Sequence, residues 1–111
     1  MPPPSQLAIA TSAVNRLIKE ESSYHKELEQ QKARIAKLEA NNGDEYEIKQ
    51  EKQALDETHK VFPALHVKIK DAVAKLEAQV EQEKGGETAT EEITKAKDAV
   101  TAGKIAVRET A

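Results

Sequence analysis

Between Leu7 and Leu38 apolar side chains recur every seven residues in two rows, Leu7, Val14, Leu28 and Ile35 on one and Ala10, Leu17, Tyr24 and Leu38 on the other. Glu21 and Gln31 fall on the same rows without shifting the register. No Gly or Pro interrupts this span and β-branched residues are sparse, so spacing and propensity predict one long helix with a narrow apolar seam. It covers about residues 6–40, opened by Ser5 as N-cap behind Pro2, Pro3 and Pro4 and closed by Asn41, Asn42 and Gly43, which tolerate left-handed backbone. Asp44 with Glu47 has the spacing of a capping box and starts a second helix over about 45–84. Its rows read Ile48, Leu55, Phe62, Ile69 and Leu76 on one and Lys52, His59, His66, Val73 and Val80 on the other. Pro63 removes a hydrogen bond from the middle of this pattern, which resumes beyond it, so a kink is expected and not a break. Gly85 and Gly86 end the helix, and Thr88 with Glu91 offers a third start. A helix over about 88–109 then carries Ala89, Ile93, Ala96, Val100, Gly103 and Val107 along its seam.

Three amphipathic helices joined by short connections predict an all-α fold. The expectation is one domain over 1–111, an antiparallel three-helix bundle with spectrin-like, coiled-coil-type packing and a second helix kinked at Pro63. Folding the first two helices about Gly43 pairs residues whose numbers sum to about 86. That register stacks Leu38 on Ile48, Leu28 near His59, Tyr24 on Phe62, Leu17 on Ile69 and Val14 on Val73. It also sets Glu21 against His66 as a hydrogen-bonded polar layer within the seam. At ~24 residues the third helix spans about 36 Å against about 50 Å for the first. It therefore reaches only the half of the hairpin that holds Leu7 to Tyr24 and Phe62 to Val80. The far end, around Leu28, Ile35, Leu38, Ile48 and Leu55, is left with two helices and incomplete burial. Tyr46 and Val61 mark apolar flanks there, covered either by long Lys and Glu stems or by a partner. Acid-before-base pairs such as Glu45 with Lys49 and Glu91 with Lys95 support the solvated faces.

Composition narrows the chemistry. With 111 residues, 38% hydrophobic and only 3% aromatic, the chain can fill a slim helical core but not wall a deep catalytic cavity. Charged residues make up 33% with both signs interleaved and a net charge of −3, a pattern of solvated helix faces and not of a nucleic-acid footprint. The absence of cysteine excludes disulfides and thiolate metal sites. The start, Met1 to Gln6, lacks a basic region ahead of an apolar run, and no stretch approaches ~18 apolar residues, so a cytosolic chain with no membrane attachment is expected. His25, His59 and His66 do not pair at i,i+3 or i,i+4, and Lys84-Gly85-Gly86-Glu87 follows a helix without P-loop spacing. No metal site, cofactor site or enzyme activity is expected, and the residues by themselves point to a helical interaction protein.

The run from Val14 to Glu27, Val-Asn-Arg-Leu-Ile-Lys-Glu-Glu-Ser-Ser-Tyr-His-Lys-Glu, followed by Gln30-Gln31, resembles the first-helix signature of the tubulin-binding cofactor A family. Tyr46-Glu47-Ile48-Lys49, then Leu55-Asp56-Glu57-Thr58 and Pro63 after an apolar pair, is similar to that family's second helix at matching spacing. The similarity spans about residues 7–80 and weakens in the third helix. Arg16, Lys19, Glu20, Tyr24, Glu27, Tyr46, Lys49, Glu57 and Pro63 match the pattern. The chain departs from it after Lys49, where Gln50 and Glu51 replace a second basic residue and a Gln.

The resemblance implies a chaperone that binds β-tubulin after its release from the cytosolic chaperonin and passes it toward the cofactors that assemble the α/β heterodimer. Helical faces, more than loops, make the contacts in this family, so Arg16, Lys19, Glu20, Glu27, Tyr46, Lys49 and Glu57 are the partner-binding candidates. Tyr24 is expected in the core. Plain solvated charge is the alternative reading of Arg16, Lys19 and Glu20. The family acts in the cytoplasm and beside the cytoskeleton, without nucleotide hydrolysis, nucleic acid or membrane, as a monomer or weak homodimer. The competing expectation is a structural coiled-coil adaptor that oligomerises through the long seam and binds no tubulin.

Overall fold

A computed structural model describes residues 5–83 and 90–109, which form three α-helices: α1, Gln6–Ala40; α2, Glu45–Glu83; and α3, Thr90–Glu109. Pro2 to Pro4, Gly85, Gly86, Thr88 and Ala89 lie outside the described residues.

Local chemistry sets the helix ends. The Ser5 hydroxyl oxygen accepts the Ala8 N–H at 3.0 Å and caps α1, while its O–H reaches Glu92 of α3 at 3.3 Å. At the other end Asn42 takes left-handed backbone, φ 52°, and its N–H donates to the Glu39 carbonyl at 3.3 Å. The Gly43 N–H donates to the Leu38 carbonyl at 2.7 Å, which completes a Schellman turn and satisfies two orphan carbonyls of the last turn. A side chain at Gly43 would place its Cβ 2.9 Å from that same carbonyl oxygen, so the turn needs glycine by proximity. Asp44 then accepts the Glu47 N–H at 3.3 Å, and α2 runs unbroken through Pro63.

Successive helices run antiparallel, so α3 runs parallel to α1, and each packs on the other two. The predicted register holds: Tyr24 meets Phe62 edge to face with centroids 6.3 Å apart, and Val14 and Val73 lie in one layer with Gly103 of α3 between them. A Cβ on Gly103 would come 2.5 Å from Val73 Cγ2 and 3.5 Å from Val14 Cγ1. The missing side chain therefore lets α3 approach the hairpin at its backbone. Leu7, Val14, Ile69 and Leu76 are fully enclosed here, joined by Ala96 and Ala99.

The buried stripe is wider than a seven-residue seam. Lys52 and His59, placed on the second row of α2 by spacing, are exposed, and Leu65 and Thr58 are buried instead. In α3 the buried line runs through Ala96, Ala99, Gly103 and Ala106, with Ile93, Val100 and Val107 only half-buried. On α3 the reason is that a helix with two neighbours buries two adjoining stripes, whereas seven-residue rows describe contact with one; on α2 the seam's second row runs through Thr58 and Leu65, four residues before Phe62 and Ile69, and not through His59 and His66. Buried Thr11 and Thr58 bond their own helix carbonyls, at 2.8 and 3.0 Å.

At the two-helix end burial is incomplete, as expected, and Tyr46 is an exposed flank. Leu28 and Ile35 are buried, Leu38, Ile48 and Leu55 are half-buried, and Val61 is half-buried and not an exposed flank. Ion pairs clasp its edges, Arg34 with Glu51 and Lys52 with Glu39, both at 3.4 Å. The whole is a rod of 64 × 28 × 18 Å with a radius of gyration of 19.1 Å.

Candidate functional site

The seam holds a polar layer at Glu21, and Gln31, 3% exposed, is a second buried polar side chain of the α1 rows. Glu21, 4% exposed, receives His66 Nε2 at 2.6 Å on one carboxylate oxygen and His25 Nε2 at 3.6 Å on the other. Both imidazoles also lie against Phe62, with His25 at a centroid distance of 4.6 Å. The expected Glu21–His66 bond is present, and His25, one turn beyond Glu21, is the member that row spacing did not bring in. No grouping of His, Cys, Asp or Glu fit to hold a metal occurs among the described residues. The layer's physical effect is on register: a slip of α1 along α2 would leave a buried carboxylate without its partner.

The partner-binding candidates all lie outside this seam. Arg16, Glu20 and Glu27 follow one another at i,i+4 and i+11, so they share a stripe of α1 opposite the buried row, with Lys19 beside them. Tyr46, Lys49 and Glu57, at i,i+3 and i+11, share the outer stripe of α2. All seven are exposed, and Tyr46 at 69% is the barest of the large apolar side chains. Tyr24 is half-buried against the core, as expected, and Pro63 is exposed.

The structure does not gather these residues into one patch. In an antiparallel hairpin the outer stripes of α1 and α2 look away from each other. Tyr46 and Lys49 pack beside the last turns of α1, so they stand more than ten residues, or roughly 20 Å, along the rod from the α1 group. Two helical faces result, with mixed charge on α1 and a tyrosine among charges on α2. Spacing also left unmarked three exposed apolar side chains, Val67 at 58% exposure, Ile9 at 53% and Ile105 at 41%. No helix among the described residues is long and apolar enough to cross a membrane.

Known proteins share this arrangement. The sequence profile of the family described as Tubulin binding cofactor A matches residues 2–100. The chain is 36% identical over 99 residues to "Tubulin-specific chaperone A" of Saccharomyces cerevisiae, covering 88% of this chain and 90% of that protein. It is 36% identical over 86 residues to the protein of the same name from Homo sapiens, covering 78% and 80%. Among solved structures, tubulin folding cofactor A from Arabidopsis thaliana superposes with a TM-score of 0.81 at 31% identity, over 89% of this chain and 92% of that one. Human tubulin chaperone cofactor A gives 0.71 at 33% identity, over 89% and 95%. By profile, sequence and fold alike, this chain belongs to the tubulin binding cofactor A family.

Proposed function

We propose that this protein is a tubulin-folding chaperone that holds β-tubulin folding intermediates after chaperonin release and passes them on toward α/β-heterodimer assembly. The observation that carries the reading is membership of a family whose yeast, human and plant members bear the names of tubulin chaperones or folding cofactors. Chaperoning of this kind is binding, not catalysis. The bundle's form suits it: most of the long seam, from Leu7 and Val14 to Phe62, Ile69 and Leu76, is covered within one chain, which leaves outer faces for a client. Arg16, Lys19, Glu20 and Glu27 on α1 and Tyr46, Lys49 and Glu57 on α2 are the contact set we put forward. Mixed-charge faces give orientation and moderate affinity, so hand-over to the other tubulin cofactors needs no energy source. The protein acts in the cytoplasm, beside the cytoskeleton, as a monomer or weak homodimer.

The test is co-migration on native gels with β-tubulin added from a refolding mixture. Stoichiometric capture is expected, weakening with salt as the Debye length falls from about 10 Å at 0.1 M to about 3 Å at 1 M. No captured β-tubulin overturns the reading, and equal capture of α-tubulin overturns its β specificity.

A further inference from the structure

Where α3 stops, its track along the hairpin continues. α3 lies in the trough between α1 and α2, with Gly103 against Val14 on one side and Val73 and Ile69 on the other. α3 has 20 residues against the 35 of α1, a shortfall of 15 residues or about 22 Å of hairpin. From Val107 onward the trough is an open groove of about 620 Å³ walled by α1 and α2. Its apolar lining is Leu28, Phe62, Pro63, Val67 and Val107, of which Val67 is 58% exposed. Its charged lining is a lysine on each wall, Lys32 on α1 and Lys70 on α2, with one carboxylate, Glu29, 3.6 Å from Lys32; His25 and His66, also in the lining, lie on the buried Glu21.

We infer that this groove docks an amphipathic helix of the partner, apolar along one stripe and acidic along its flanks, laid end to end with α3; the inference rests on the tubulin-chaperone reading, with the helix supplied by the client. Two observations select that occupant. The first is continuity, because the groove prolongs a trough already filled by a helix. His25, Leu28, Glu29 and Lys32 on α1 and Phe62, Pro63, His66, Val67 and Lys70 on α2 stand at i,i+3, i+4 and i+7 or i+8, the ridges between which a third helix packs. The second is charge, since a lysine on each wall, Lys32 and Lys70, over an apolar floor selects acidic side chains on either side of an apolar stripe. The exposed length accommodates about four turns of helix.

The test uses the full chain and purified β-tubulin. Lys32→Glu with Lys70→Glu, and separately Val67→Asp, should weaken binding by about tenfold or more, as central groove positions do. Lys95→Glu with Lys97→Glu makes the same charge change on the first half of α3 and should leave affinity within about twofold. All these positions are exposed, so helical circular dichroism and melting should match the parent. A photocrosslinking residue in place of Val67 should capture an acid-rich amphipathic helix of tubulin. Groove variants that bind like the parent, a control pair that loses as much, or crosslinks to a basic segment or a second copy of this chain each overturn the groove while leaving the chaperone reading intact. A parent chain that captures no β-tubulin overturns that reading, and the groove with it.

Discussion

At Gly103 the bundle has no room for even a methyl group. Alanine is the better helix former by about 1 kcal/mol, yet its Cβ would press on Val73 Cγ2, and valine in a helix is held to one rotamer. Gly103→Ala should therefore destabilise by about 1–3 kcal/mol, and Val73→Ala in the same chain should relieve it, both read from urea midpoints at constant m. The Glu21 layer makes an opposite kind of demand. His66→Leu strips the close partner from a buried carboxylate and should cost roughly 3 kcal/mol, while Glu21→Leu together with His66→Leu recovers most of the loss. A double variant whose loss equals the sum of those of Glu21→Leu and His66→Leu made singly would show that the two side chains are not coupled. Glu21 and His66 are legible in the sequence because each interrupts an apolar row and hairpin arithmetic sets them opposite one another. Arg16 or Glu57 has no such signature. A charge on a solvated face obeys the same local physics whether or not a partner touches it, so only resemblance separates these residues from their neighbours.

Among the elements, α1 is the most legible, since Ser5 and the Asn41-Asn42-Gly43 stop act through backbone groups a few residues away. Burial on α2 and α3 is less so. Ala99 and Ala106 are enclosed because α3 leans on two neighbours at once, and no period within one helix encodes where those neighbours lie. Pro63 brings sequence and structure together: it sits exposed inside a continuous 39-residue helix, on the wall of the groove beyond α3. Its ring takes the place of an N–H that would bond the His59 carbonyl. Pro63→Ala should restore that bond and raise stability by up to about 3 kcal/mol, visible as a higher thermal midpoint. An unchanged midpoint would mean that α2 has already accommodated the ring at no cost.

Over the whole molecule, stability should be graded along the rod. The α3-covered half encloses Leu7, Val14, Ile69 and Leu76 among three helices, whereas the hairpin tip relies on Leu28, Ile35 and their half-buried partners between two. Amides in the tip, residues 36–50, should exchange roughly tenfold or more faster than those around Val14 and Ile69 in native-state hydrogen exchange. Uniform protection along the rod would contradict the grading. Slenderness also has a practical outcome in the laboratory. A radius of gyration of 19.1 Å compares with about 13 Å for a compact 100-residue domain, so one copy sweeps out the volume of a much heavier sphere. On a sizing column a lone molecule will elute early and masquerade as a pair, and its true mass emerges from light scattering or sedimentation equilibrium.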